Sequence, residues 1–496
     1  MSTKLKIFVV ALLTTVVAGC SIQPLKITPQ EQEQLTKTDL SNMFEDQEPI
    51  KESISLYDAM ARAVVYNLDY RVQIMEEALR RGELETAKGD LLPTLTVAAG
   101  YNSRNNEQAS SSQSLIDGST SVPTSISTEK QYSTSSATFT WNVLDFGVSY
   151  AQAKQQADQI LISQEKKRKA IQNIIQDVRF SYWRAVSAER LLPEMSNILK
   201  EATDTLKKVD ILEEFSIQSP MVYLNYRKEL LSLIREMWKL RENLSTAKSE
   251  FAALVNIRPG QEFTLKTYNE KDLKIPEIGL SLEHLEGYAL ANRPDIREEH
   301  YQARISVQEI KKAMARMLPG LELTYGHNYD SNKFLLNSDW NQLGLSISWN
   351  IFNLFNGRKA IAAAEALNDL DNARRLSLQM AVLTQVHLAT QRYHISVKNY
   401  ELAKELNQIE RKIYKQTSAI EQSNMQNQLE VLRTRASALI ANMTGDLSYA
   451  EMENAYGKIL GSIGIDPFPS SIEKTELNHI AQLLEENLNN WQSNIN

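Results

Sequence analysis

Four short stretches of the chain alternate apolar and polar residues with a period of two. In Pro93–Tyr101, Leu95, Val97, Ala99 and Tyr101 oppose Thr94, Thr96, Ala98 and Gly100. In Ala137–Val143, Ala137, Phe139, Trp141 and Val143 oppose Thr138, Thr140 and Asn142. Later, Leu321, Leu323 and Tyr325 oppose Glu322, Thr324 and Gly326, and Leu343, Leu345, Ile347, Trp349 and Ile351 oppose Gly344, Ser346, Ser348 and Asn350. This period predicts strands with one apolar and one small-polar face, over about 93–103, 135–144, 319–329 and 342–352. Two of them follow a Leu-Pro step, where proline ends a helix and biases its neighbour toward extended backbone. The other two run into similar phrases, WNVLDFG (Trp141–Gly147) and WNIFNLFNG (Trp349–Gly357). The pattern then turns helical. Val148–Leu192 and Arg358–Thr444 contain neither glycine nor proline. A helix of sixty-odd residues is about 100 Å long, and it needs partners along that whole length.

The chain also repeats itself. SLYDAMARAVVYNLD (Ser55–Asp69) parallels SLEHLEGYALANRPD (Ser281–Asp295), and LLPTLTVAAGYN (Leu91–Asn102) parallels MLPGLELTYGHN (Met317–Asn328). Ser55/Ser281, Ala63/Ala289, Asp69/Asp295 and Pro93/Pro319 keep one offset of 226. Two tandem halves result, 55–255 and 281–465, joined by a proline-containing linker, 256–280. Each half should hold a short helix, a helix of about twenty residues, a strand pair and long helices. The loops inside the strand pairs, 102–136 and 329–341, read as solvated tips. A tail, 466–496, contains an amphipathic helix with Ile480, Leu483, Leu484, Leu488 and Trp491 on one face.

The first residues are a targeting signal. Lys4 and Lys6 precede an apolar run, and Val17-Ala18-Gly19-Cys20 follows. Cys20 is the sole cysteine, so no disulfide can form within one chain. Residues 20–54 are polar and acidic, and read as an extended leash. No later stretch holds eighteen apolar residues in a row, so no membrane-spanning helix is expected. The composition, 42% hydrophobic and 23% charged with only 17 glycines and 13 prolines, favours an ordered, helix-rich protein. A net charge of −7 gives no reason to expect nucleic-acid binding. Enzyme motifs are missing too: there is no His-Glu-x-x-His, no Gly-x-Ser-x-Gly and no phosphate-binding glycine loop. His387 and His394 stand seven apart on a helix, about 10 Å along its axis, too far to share a metal. Glu298-Glu299-His300 reads as a solvated helix face. No cofactor is expected.

Two-faced strands of about ten residues suit a membrane β-barrel. Trp141 and Trp349 end their apolar stripes at one end, while Tyr101 and Tyr325 lie toward the other, as interface aromatics do. Four strands cannot close a barrel, and open edges in lipid leave backbone groups unpaired. Three chains would supply twelve strands, and the same threefold would gather the long helices into a hollow tube. Each Trp-Asn phrase then marks a strand leaving the membrane to become a helix. Phe146, Phe352 and Phe355 pack that shoulder, and Gly147 or Gly357 permits the turn.

These features together resemble the TolC-like outer membrane efflux and secretion channel family. The carriers are the tandem halves, Leu92-Pro93 and Leu318-Pro319, FNLFNG (Phe352–Gly357) and LEVLRTRASALIAN (Leu429–Asn442). The resemblance implies an α+β membrane protein: a homotrimeric twelve-stranded barrel continued by a helical periplasmic tunnel. It implies docking of the tunnel tip on a periplasmic adaptor of an inner-membrane transporter. Val-Ala-Gly-Cys is similar to a lipobox, which would make Cys20 the lipidated first residue, and Ser21 after it favours outer-membrane lipid. The tip turns, near 210–221 and 416–432, lack the glycine usual in this family. Ser216, Gln218, Ser219, Ser418, Gln422 and Ser423 are the docking candidates. Glu430 falls on a gate position, where three copies around an axis would favour cations; Glu213, Glu214 and Glu421 are lesser candidates. Arg433 stands where some members carry a second acid. Cargo stays open between small molecules and exported protein or polysaccharide. A lipid-anchored coiled-coil spacer between membrane and wall also explains the helices and Cys20, but not the matched strands.

Overall fold

The computed structural model describes residues 24–120, 125–214, 220–269, 273–419, 425–468 and 476–493. The two halves open alike. Helices α1 (Pro29–Asn42), α2 (Leu56–Tyr66) and α3 (Leu68–Gly89) lead into the first strand, and α7 (Leu282–Asn292) and α8 (Pro294–Ala315) match α2 and α3 at 11 and 22 residues. The repeated serines are N-caps. The Ser55 hydroxyl accepts from Asp58 N in a capping box, and that of Ser281 accepts from His284 N.

Strands β1 (Thr94–Ser103), β4 (Gln131–Asn142), β5 (Gly320–Asp330) and β6 (Asp339–Ser348) form one antiparallel sheet in the order β1-β4-β5-β6. All four expected strands exist, but two end sooner than the alternation suggests. Val143 opens helix α4 (Val143–Glu214), and Trp349 and Ile351 lie beyond β6, before α9 (Phe352–Ser418). The long loop is more than a solvated tip: β2 (Gln108–Ser110) and β3 (Ser125–Thr128) pair within it. The long helices return as α5 (Pro220–Ser245) with α6 (Ala247–Leu254), and as α10 (Met425–Ile463). Helix α4 runs unbroken through Pro193, at which the glycine- and proline-free reading stopped.

The chain divides into two compact units, and each draws on both halves. One holds the sheet with 81–158 and 304–369; the other holds 40–80, 159–303 and 370–496. The second unit carries the buried core. Its seams recur every seven residues: Tyr223, Leu230, Met237 and Leu244 on α5, Ala188, Met195, Ala202 and Val209 on α4, and Leu432 and Leu439 on α10 are all buried. That is coiled-coil packing. Nearer the linker, Met60, Val178, Tyr182, Phe251 and Ile257 form a broader core.

The segment read as an extended leash is partly ordered, and the linker after the first half packs on the core. Residues 20–54 are helical over α1, and their last part is tied down: Ile54 is buried and exchanges backbone hydrogen bonds with Thr264 and Lys266. The linker packs inward through Ile257, Phe263 and Leu265. Apolar residues inside polar text hold both, and composition averages over them. The tail helix α11 (Leu477–Asn489) packs its apolar face on α2, where Tyr57 donates to Asn489 at 3.0 Å. Trp491 is fully buried and its indole N–H donates to Tyr456 at 2.7 Å.

Candidate functional site

The register of the sheet collects the four apolar stripes on one face. Leu95 stands opposite Phe139, Phe139 opposite Tyr325, and Tyr325 opposite Leu343. One row below lie Trp141, Leu323 and Leu345, and below them Leu321 and Ile347. One row above, Val97 and Ala137 stand beside His327 and Asn341, whose side chains approach to 3.1 Å. Rows are two residues apart, so this band measures roughly 20 Å along the strands. Leu95, Val97, Leu343, Leu345 and Ile347 are each more than two-thirds exposed. So large an exposed apolar face needs a partner or lipid.

The other face is mostly small and polar, with Trp340 and Tyr132 toward the loop end. Three glycines there sit opposite threonines: Gly100 across from Thr134, Gly326 from Thr138 and Gly344 from Thr324. A Cβ at 344 would lie 2.5 Å from Thr324 Oγ1, closer than side chains tolerate. This face is therefore crowded, as the inner surface of a curving sheet is.

Of the four aromatics expected at the interfaces, Trp349 and Tyr101 lie at the ends of the band, and Trp141 and Tyr325 lie in its two inner rows. Trp141 is partly exposed and packs edge-on against Phe146, 6.1 Å away. Trp349 is half-exposed and donates its indole N–H to Met317 O at 3.1 Å. Tyr101 lies at the far end of β1, in line with Tyr329 one row below it on β5. Tyr325, expected at that far end, is in mid-band, because the β4–β5 register sets it beside Phe139.

The strand-to-helix crossings are built differently from the expectation. Asparagine does the capping. The Asn142 side-chain oxygen accepts from Leu144 N at 3.0 Å and Asp145 N at 3.3 Å, and that of Asn350 accepts from Phe352 N at 3.1 Å. This pairs helix-start donors that otherwise have no partner. Gly147 and Gly357 permit no turn. Both lie inside helices and neither has a positive φ. Gly357 instead leaves room for a neighbour: a Cβ there would run into the Met317 side chain, which would have to shift. Phe352 and Phe355 are mostly exposed and pack no shoulder within the chain.

Of the gate and docking candidates, Glu430 is exposed on α10, 3.8 Å from Arg433 one turn later. Ser418 is exposed at the end of α9. Glu213 and Glu214 end α4, with their side chains outside the described residues. Ser216, Gln218, Ser219, Glu421, Gln422, Ser423 and Cys20 also lie outside the described residues. His387 sits 2.9 Å from Glu286, an ion pair when protonated. Among the described residues no helix is long and apolar enough to cross a membrane.

The sequence reading missed a buried charge pair. Arg179 on α4 donates to Glu453 on α10 at 2.6 Å, and Tyr449 donates to the other carboxylate oxygen at 3.2 Å. Both charged side chains are almost fully buried.

The model of the family described as "Outer membrane efflux protein" matches residues 286–456. Among solved structures, CusC, studied for folding and transmembrane channel formation, aligns over 85% of this chain and 96% of its own, at TM-score 0.62 and 18% identity. The open-state outer membrane channel MtrE of Neisseria gonorrhoeae aligns over 82% and 88%, at 0.64 and 16%. The outer membrane channel CmeC of Campylobacter jejuni aligns over 89% and 94%, at 0.62 and 14%. No curated protein matches the chain.

Proposed function

We propose, for a chain whose residues 286–456 match the outer membrane efflux protein family, that it forms the exit duct of a tripartite efflux or type I-like secretion system. Three copies close a twelve-stranded barrel in the outer membrane, and their long helices continue it as a periplasmic tunnel. Transport through the duct is passive, driven by an inner-membrane transporter joined through a periplasmic adaptor. Cys20 carries the lipid that anchors each copy.

The observation that carries this reading is the sheet: apolar on one face, small-polar on the other, open at β1 and β6, and running straight into long helices. Lipid outside and water inside suit the two faces, and pooled strands pair the open edges. A wall-linking spacer has no use for such a sheet.

In-cell photo-crosslinking from Ser418 and Ser219 tests the docking. Capture of a periplasmic adaptor, identified by mass spectrometry, is the expected result, and the transporter encoded with it names the cargo class. Capture of wall components from both positions overturns the reading. At the gate, Glu430→Ala should weaken cation preference in planar-bilayer recordings, because three carboxylates at one constriction concentrate cations. Unchanged selectivity removes Glu430 from the gate.

A further inference from the structure

The helical unit contains a cavity of about 270 Å³ between α4, the linker and the middle of α10. Trp183 on α4, Tyr268 on the linker and Tyr449 on α10 make one aromatic wall. The Trp183 ring centroid lies 4.9 Å from that of Tyr268 and 4.8 Å from that of Tyr449. Val186, Leu265 and Leu273 supply the aliphatic part of the lining. Lys266 and Thr267 are exposed, so the cavity opens to solvent on its linker side.

The charges of the lining balance. Glu189 and Asp446 stand with Arg190 and Lys266, so the cavity has no net charge to draw in an ionic ligand. Most of its polar groups are engaged within the chain. Arg190 pairs with Asp446. Glu189 lies 3.1 Å from Lys248 and accepts from Leu265 N at 3.4 Å. The Tyr449 hydroxyl donates to Glu453 at 3.2 Å, and that of Tyr268 meets the Tyr182 hydroxyl at 3.4 Å. Trp183 differs. It is buried, and its indole N–H has no acceptor among the described residues. A buried donor left unpaired keeps the full cost of its lost hydration. The repeat does not demand this arrangement: the Trp141/Trp349 offset of 208 carries Trp183 onto Gln391, so the wall belongs to one half alone.

These features select a ligand chemistry. Drug-sized molecules occupy sites of about 300–1,000 Å³, so this cavity takes something smaller, on the scale of one six-membered ring with a substituent. A neutral sugar ring presents a face of C–H bonds to the electron-rich face of an aromatic ring, and keeps its hydroxyls for donors and acceptors around the edge. An acetamido substituent adds what the lining still lacks: a carbonyl oxygen for the indole N–H, and a methyl group for Leu265 and Leu273.

We propose that this cavity binds one N-acetylated sugar ring of the wall glycan. The ring lies on the wall formed by Trp183, Tyr268 and Tyr449, its acetamido carbonyl accepts from the Trp183 indole, and Glu189 and Arg190 meet its hydroxyls. The source of the sugar rests on the periplasmic reading above, which puts the helical unit in the compartment that holds the wall. The contact holds the duct where it passes through the wall and leaves the sheet to the membrane and the tip to the adaptor.

Ligand-observed NMR on the full chain in detergent tests it, with N,N′-diacetylchitobiose as the probe and cellobiose as its unacetylated control. Saturation transfer from protein to probe should be strongest at the acetamido methyl groups, and cellobiose should bind more weakly. Tyr268→Ala should weaken binding about three- to tenfold, the range of one aromatic contact, and Tyr268→Phe should leave it near the parent. Thr267→Trp, at an exposed position on the mouth, should block the cavity without touching the core. The same order should appear when purified wall sacculi are sedimented with each variant. No transfer to a parent chain with a cooperative thermal melt overturns the site. Equal binding of cellobiose overturns the acetamido contact. Binding that survives both Tyr268→Ala and Thr267→Trp puts the sugar elsewhere and overturns the cavity. Sugar binding without adaptor capture from Ser418 leaves the cavity standing and sinks the duct; adaptor capture without sugar binding does the reverse.

Discussion

Glu453→Ala should be the most damaging single change in the helical unit, costing about 3–5 kcal/mol. The carboxylate is buried against Arg179 at 2.6 Å, and its second oxygen accepts from Tyr449. Burial works against the Arg179 charge, but Glu453 beside it outweighs this and holds the guanidinium above its usual range. Without Glu453 that charge is left in the core with no carboxylate, beside the Tyr456 ring 5.6 Å away and near the Tyr57 phenol. The pair ties α4 to α10, and the Trp491 indole on Tyr456 adds the C-terminal tail. A thermal melt followed by circular dichroism should therefore show a marked loss in the single variant. The double variant Arg179→Met/Glu453→Leu should recover most of it, since well-packed apolar side chains of similar volume can replace a buried ion pair. Equal losses in both would mean that packing, not charge pairing, governs this site.

The strands and their faces were legible because a period of two is a strong local signal, and the sheet residues are largely exposed within the chain, with little packing to override it. Helix starts were legible at Ser55 and Ser281, where the cap is local. The sequence alone placed Val143 and Trp349 on strands, since both continue the alternation. Asn142 and Asn350 end it through side-chain bonds that hydropathy does not register. Gly147 and Gly357 were read as turns because glycine permits them; at 357 the structure instead shows the close approach of the Met317 side chain, forty residues away. Tyr325 was misplaced because its height in the band depends on β4–β5 register, a long-range property. Arg179 and Glu453, 274 residues apart, have no shared local signature at all.

Charge placed on either face of β6 should separate lipid from lumen. Leu343 lies mid-band on the apolar face, beside Tyr325, and its neighbour Gln342 points to the opposite face, across from Gly326. An arginine facing the bilayer midplane costs about 2–4 kcal/mol in a barrel, and one facing water in the lumen costs little. Leu343→Arg should lower the guanidinium midpoint of refolding into phosphatidylcholine vesicles by an amount matching that cost, in every copy of the assembly. Gln342→Arg should stay near the parent, because the added guanidinium remains hydrated above a face of glycine, serine and threonine. The two substitutions are adjacent, equal in charge and equal in size, so strand propensity and net charge cancel between them and only the direction of the side chain remains. If Gln342→Arg proves the costlier, the apolar face is turned inward. A soluble sandwich then replaces the barrel, and the exposed rows from Leu321 to Val97 become the inner layer of a protein–protein interface.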